Sequence, residues 1–307
     1  MNDFQYHTPP SLAEAFALLR DFDDDIRIIA GGTALVLFMK QRLAQPGHLL
    51  SLQRIPGLDG ITANRTGVEI GAMCTHRKVE TSLLLRETVP LLCQTYHHVA
   101  TVRIRNMATV GGGLVHADPN LDPPPSLIAL DARVVLASAS GQRTLPVEEF
   151  FLDYYETVIQ PGEVLTQVLV PPLPPNSGTA YFKFLPRTAD DYATVSAAVR
   201  LTLQIPPAPL SQRPVLSGVE GGDGGIICQD VRIGLGSVAT TPIRARQAEA
   251  VLRGQRITPG LLRQAGETAM GEVDPLDDFR GSAGYKREMA GVFTRRALEQ
   301  ALRQVMP

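Results

Sequence analysis

The stretch at residues 101–125, TVRIRNMATVGGGLVHADPNLDPPP, decides how this chain is read. Thr109, Val110, Gly111, Gly112 and Gly113 form a glycine turn whose bare backbone can aim several N–H groups at one anion. Asp118 and Asp122 follow within a proline-rich turn. A carboxylate just past a phosphate cradle suits ribose hydroxyls, which need a strong acceptor where the phosphates need donors. Taken alone, the glycine run reads better as a tight hairpin beside solvated aspartates. A second glycine loop upstream reverses that balance.

That loop lies at residues 28–37, IIAGGTALVL, an apolar run of strand character that enters a glycine pair and leaves as a helix. The first N–H groups of a helix are unpaired, and the dipole adds about half a positive charge there. Gly31, Gly32 and Thr33 are therefore positioned to hold the other side of a diphosphate. Neither loop is a G-x-G-x-x-G fingerprint after a strand, and neither carries the Gly-Lys-Ser/Thr of a P-loop. The sequence asks for a nucleotide fold of another kind.

Composition narrows the partners. A formal charge of −2 over 307 residues leaves no electrostatic footprint for nucleic acid or a membrane surface. The first ten residues lack a basic region followed by an apolar core, and no run of 18 apolar residues occurs. Cytoplasm is the expected compartment. Cys74, Cys93 and Cys228 are too scattered for a C-x-x-C pair and too few for a four-cysteine cluster, so buried thiols are expected.

Ser11 and Glu14 make a capping box ahead of Leu12, Ala15, Phe16 and Leu19, whose spacing predicts an amphipathic helix. Strands are expected at 26–30 and 48–52, on either side of a helix running from the glycine loop to Lys40. Beyond Pro56-Gly57, a strand at 67–73 precedes helices at 79–85 and 91–99, and further strands fall at 133–138 and 164–170. The run PPLPPNSG at 171–178 reads as a linker, because prolines remove ladder donors and stiffen the chain. After it, strands at 180–184, 193–204 and 231–238 give way to helices at 247–252, 261–269 and 285–305. Residues 206–225, PPAPLSQRPVLSGVEGGDGG, read as an insertion in a hairpin loop.

Other constellations carry no chemistry. His97 and His98 diverge on a helix and, with His116, match no metal-ligand spacing. Asp23-Asp24-Asp25 lacks the alternating ligands of a cation loop and reads as a solvated turn. No G-x-S-x-G elbow is present, so hydrolysis has no support.

Four segments together carry a resemblance: AGGTALVLFMK at 30–40, IRNMATVGGGL at 104–114, DPNLDPPPSLIALDA at 118–132 and FKFLPRTADDYATVSAA at 182–198. In this order they resemble the FAD-binding (medium) subunit of the molybdenum hydroxylase, or xanthine dehydrogenase, family, of the carbon monoxide dehydrogenase flavoprotein type. The resemblance spans nearly the whole chain. It implies an α+β fold with a two-part FAD-binding domain (PCMH-type) at 1–177, divided near 57, and a C-terminal domain of a small antiparallel sheet plus helical bundle at 178–307. It implies FAD in this chain, with iron–sulfur clusters and the molybdenum cofactor in partner subunits. Those partners are a small iron–sulfur subunit and a large molybdenum subunit, in a dimer of heterotrimers. NAD or a quinone would be the acceptor.

By the same resemblance Ala30, Gly31, Gly32, Thr33 and Ala34, with Thr109, Val110, Gly111 and Gly112, hold the diphosphate. Asp122 meets ribityl or ribose hydroxyls, Leu165 lies beside the cofactor, Lys183 brings positive charge to the flavin, and Tyr192 in the 187–192 loop acts as a lid. No catalytic residue and no metal ligand are expected in this chain. Two departures stand out. Gly113 occupies the place where the family commonly has Asn, and residues 114–119 lack the cysteine-rich insertion of the 4-hydroxybenzoyl-CoA reductase branch. A self-sufficient flavin oxidase, a reductase subunit without the extra cluster, and a non-redox scaffold remain as alternatives.

Overall fold

The computed structural model describes residues 3–185, 188, 191–205 and 226–306. The insertion expected at 206–225 lies outside the described residues, as does most of 186–190.

The chain begins with β1 (Gln5–His7), and α1 (Leu12–Phe22) follows with Ser11 accepting from the Glu14 amide at 3.3 Å, the cap its spacing predicts. Next come β2 (Ile26–Ile29), the glycine loop, α2 (Leu35–Lys40) and β3 (His48–Ser51). The three strands pair in the order β1-β3-β2, all parallel. Ala15, Ile26 and Leu50 are buried in a small core with the apolar face of α1. β1 was not foreseen, because Gln5–His7 is too short and polar to carry a strand pattern.

A second layer is built on β4 (Ile61–Asn64), β5 (Gly67–Gly71), β6 (Arg133–Ser138), β7 (Gly141–Pro146) and β10 (Val164–Val170), an antiparallel sheet ordered β4-β5-β10-β6-β7. A small ribbon of β8 (Phe151–Asp153) and β9 (Glu156–Thr157) hangs beside it. Six short helices cover this layer: α3 (His76–Thr81), α4 (Leu83–Thr88), α5 (Pro90–His97), α6 (Val102–Met107), α7 (Val110–His116) and α8 (Pro123–Ala129). The single helix expected at 79–85 is two, because Ser82 adopts extended backbone and caps α4 by accepting from the Leu85 amide. The expected proline turn is also a correction. Pro123, Pro124 and Pro125 fill the first turn of α8, where the missing N–H groups would be unpaired anyway.

The chain ends in β11 (Ser177–Phe184), β12 (Val195–Gln204), β13 (Ile227–Gly236) and β14 (Ile243–Arg244), antiparallel in that order, with α9 (Arg246–Leu252), α10 (Pro259–Met270) and α11 (Ala283–Val305). Alternation decides what each face of β11 and β12 meets. Ala180, Ala197, Val199 and Leu201 join the core under the helices, whereas Tyr181 and Ala198 join the core of the preceding layer. The sheet is thus covered on both sides. Gly234 and Gly236 permit this closeness, since a Cβ on Gly236 would sit 2.7 Å from the Pro125 ring. Among the described residues no helix is long and apolar enough to cross a membrane.

Candidate functional site

The first glycine loop leaves the end of β2 and turns sharply, with Gly32 at φ +70°. That is left-handed backbone, which favours glycine. The amides of Gly31, Gly32, Thr33 and Ala34 donate to no acceptor among the described residues. Four adjacent free donors in a partly exposed loop form an anion-binding surface. A Cβ on Gly31 would overlap the carbonyl oxygen of Met107, so this glycine lets the loop press against the backbone that leads into the second glycine run.

The second run corrects an expectation. Residues Gly111, Gly112 and Gly113 lie in the first turn of α7 rather than in an open nest. Val110 donates to Cys74 O at 2.9 Å and Gly111 to Ala72 O at 2.8 Å. Gly112 donates to Thr109 Oγ1 at 3.1 Å, and Gly113 to Thr109 O at 2.9 Å. A helix N-terminus with a Thr cap satisfies these donors internally. The Thr109 hydroxyl, on a residue only 3% exposed, accepts from Gly112 and keeps its own proton to donate. Gly112 brings the two loops together, since a Cβ there would lie 2.8 Å from Thr109 Oγ1 and 3.3 Å from the Ala30 methyl.

Behind this run sits His76, 4% exposed, with Nε2 3.1 Å from Thr109 O. The carbonyl can only accept, so Nε2 carries the proton and the buried Nδ1 is left without a partner. Burial pushes this imidazole down to about 4. A Cβ on Gly113 would be 3.4 Å from Nε2, ordinary contact, so packing does not demand the glycine that replaces the expected Asn.

Past α7, Ala117 turns the chain with φ +51° and Asp118 is buried, its Oδ1 accepting from the amide of Asn120 at 2.9 Å. Tyr155 faces Asp118 with its hydroxyl 3.5 Å from Oδ2, and its ring packs with Phe38 and His116. Tyr192 is half exposed and its phenol faces the same carboxylate, which with burial raises its pKa.

Asp122 and Lys183 are brought together, but onto each other. Asp122 is 4% exposed and its Oδ2 accepts from Lys183 Nζ at 2.9 Å, while Oδ1 accepts from the Tyr181 hydroxyl at 2.6 Å. The Lys183 side chain is only 1% exposed and also donates to His98 O at 2.8 Å. Burial raises the Asp122 carboxyl above its usual range, against the pull of Lys183 and Tyr181. Each carboxylate oxygen retains a second lone pair for a ligand hydroxyl. Leu165 is 3% exposed in the core of the second layer, which leaves its backbone rather than its side chain for contact. Tyr181, His76 and Glu80 lie in no motif of the sequence, and Arg105, although inside the 104–114 segment, has no role that the sequence assigns.

Residues 2–173 match the FAD binding domain in molybdopterin dehydrogenase, and residues 180–301 match the CO dehydrogenase flavoprotein C-terminal domain. The chain belongs to this flavoprotein family. It is 38% identical over 298 residues to the carbon monoxide dehydrogenase medium chain of Afipia carboxidovorans, covering 97% of this chain and 96% of that one. It is 31% identical over 297 residues to the nicotine 6-hydroxylase medium subunit of Paenarthrobacter nicotinovorans, covering 97% and 96%. Among solved structures, the carbon monoxide dehydrogenase from Hydrogenophaga pseudoflava that lacks the Mo-pyranopterin moiety superimposes with a TM-score of 0.88 at 36% identity, over 99% of this chain and 98% of that one.

FAD is the cofactor of the family, and the donor set fits it. Open amides at Gly31, Gly32, Thr33 and Ala34 suit a diphosphate, and the Thr109 hydroxyl adds a donor at the point where the loops touch. Buried carboxylates at Asp118 and Asp122 supply acceptors for sugar or ribityl hydroxyls.

Proposed function

We propose that this flavoprotein is the electron-transfer subunit of a three-component molybdenum hydroxylase, with a small iron–sulfur subunit and a large molybdenum subunit as partners in a dimer of heterotrimers. Bound FAD supplies the ability to take electrons one at a time and release them as a pair, here from iron–sulfur clusters to NAD or a quinone. This chain contributes binding and tuning. Ala30, Gly31, Gly32, Thr33 and Ala34 hold the diphosphate, backed by the helix turn of Thr109, Val110, Gly111 and Gly112, the last three of which have their amides already bonded within the protein; Asp122, Leu165, Lys183 and Tyr192 surround the flavin end. The functional division is an FAD-binding domain at 1–177, with subdomains meeting near 57, and a C-terminal domain at 178–307.

One observation carries the reading: four adjacent amides without acceptors, packed against the second glycine run. Among the described residues beside these loops, the buried carboxylates are already engaged: Asp122 with Lys183 and Tyr181, and Asp118 with Asn120. His76, packed behind the second run, is buried and neutral with its donor spent on Thr109 O. In this reading substrate chemistry belongs to a partner. Co-purification of the native complex with flavin, iron and molybdenum analysis tests this; a homogeneous single-chain enzyme without iron or molybdenum refutes it.

A further inference from the structure

The turn between α5 and α6 is held in an unusual way. Ala100 has φ +39°, a conformation that L residues adopt only when their surroundings enforce it. Three successive carbonyls of this turn are bound to cations. His98 O accepts from Lys183 Nζ at 2.8 Å, while Val99 O and Ala100 O accept from Arg105 Nη1 at 2.8 and 2.6 Å. All three lie at or beyond the carbonyl end of α5, where positive charge is favoured.

Arg105 is 5% exposed, and a buried guanidinium stays in place only when fully paired. Its counter-charge is Glu80, whose Oε2 accepts from Nε at 2.8 Å. Glu80 is itself buried and is held ionised by hydrogen bonds from His97, Arg77 and Arg105 that outweigh its burial. The order of contacts is therefore Glu80 to Arg105, Arg105 to the turn, the turn to Lys183, and Lys183 to Asp122. Nothing in this chain of contacts is needed to close α6, whose cap is supplied by Thr101.

We propose that Glu80 and Arg105 are positioning residues for the flavin site, fixing the turn whose His98 carbonyl sets the Lys183 ammonium opposite Asp122. This rests on the reading that Lys183 and Asp122 border the flavin. Lys183 donates to His98 O and Asp122, and with its side chain 1% exposed it acts on a ligand through the Asp122 carboxylate that it holds in place. Releasing the turn frees the ammonium to turn away.

The test uses the full chain as the apo and FAD-loaded protein, with the variants Glu80→Gln, Arg105→Lys and Lys183→Met. FAD affinity by titration and the flavin midpoint potential are measured beside the melting temperature. Lys183→Met should weaken FAD binding by about tenfold, the scale of one charged hydrogen bond, and lower the midpoint potential. Glu80→Gln should shift both quantities in the same direction, and the Glu80→Gln/Lys183→Met double variant should be no worse than Lys183→Met alone. If Glu80→Gln does not fold, Arg105→Lys takes its place, since it keeps the charge but loses the fork that spans Glu80 and two carbonyls. No effect of Lys183→Met overturns the reading of the flavin site itself. An effect of Lys183→Met that is absent from, or strictly additive with, Glu80→Gln or Arg105→Lys overturns the positioning role.

Discussion

Gly31→Ala separates a glycine needed for a close approach from one that is merely flexible. The new methyl would overlap the Met107 carbonyl oxygen and come within 2.6 Å of the Met107 carbonyl carbon and 2.9 Å of Ala108 Cα. These are backbone atoms, so no rotamer change relieves them. Ordinary carbon contacts begin at about 3.5 Å, so the loop must move by roughly 1 Å. Overpacking of this kind costs about 1–3 kcal/mol of stability. The same shift draws the amides of Gly32 and Thr33 off the diphosphate, and one lost hydrogen bond to a charged group is worth about 1.5–3 kcal/mol. FAD affinity should fall roughly 10- to 100-fold. Titration of flavin fluorescence on the apo chain, beside its melting curve, measures both effects. Gly162→Ala is the comparison: φ is +79° with nothing within 4 Å of the added methyl, so it should cost stability alone. A Gly31→Ala chain that binds FAD as tightly as the parent would refute the loop as the diphosphate holder.

Asp122→Asn removes the counter-charge of a lysine whose side chain is 1% exposed, and should destabilise the chain by about 3–5 kcal/mol in urea unfolding. Unchanged stability would show that Lys183 reaches water. His76, with its folded pKa lowered from 6.5 to about 4, makes the folded state bind fewer protons than the unfolded chain between those values. Stability should therefore be full above about pH 6.5 and decline as pH falls toward about 4, by a total of roughly 3 kcal/mol. The His76→Gln chain should lose this part of the acid dependence, and an identical pH profile in the two proteins would count against a neutral buried imidazole.

Much of the architecture was legible because burial imposed a period on the sequence. Tyr181 and Lys183 alternate with Ala180, Phe182 and Phe184 along β11, so the strand and its two faces could be read before any contact was known. The long helix α11 and its apolar stripe were equally plain. Where context overrode local propensity, reading failed. Three glycines favour a turn, yet Thr109 accepts from Gly112 and Gly113 while Cys74 and Ala72 accept from Val110 and Gly111, making a helix. Three prolines favour a turn as well, yet they open a helix whose Pro125 packs against Gly234 and Gly236 of a strand more than a hundred residues away. At the site, the loops and carboxylates were visible as residue types. The clamp on the 98–100 turn was not, because Glu80, Arg105 and Lys183 meet only through tertiary packing. Lys183 in particular was expected beside the flavin alone; its burial against Asp122 is a fact of geometry that spacing does not encode.

The central claim is that this chain holds FAD for electron transfer and leaves substrate chemistry to its partners. Its most direct test is substrate turnover by the purified single chain, loaded with FAD and free of iron and molybdenum, assayed with purines, aldehydes, carbon monoxide and aromatic thioesters. The account predicts a flavin-loaded protein that oxidises none of them and gains activity only when the partner subunits are added. Robust oxidation of any of these substrates by the metal-free chain would contradict it and make the protein a self-sufficient flavin oxidase.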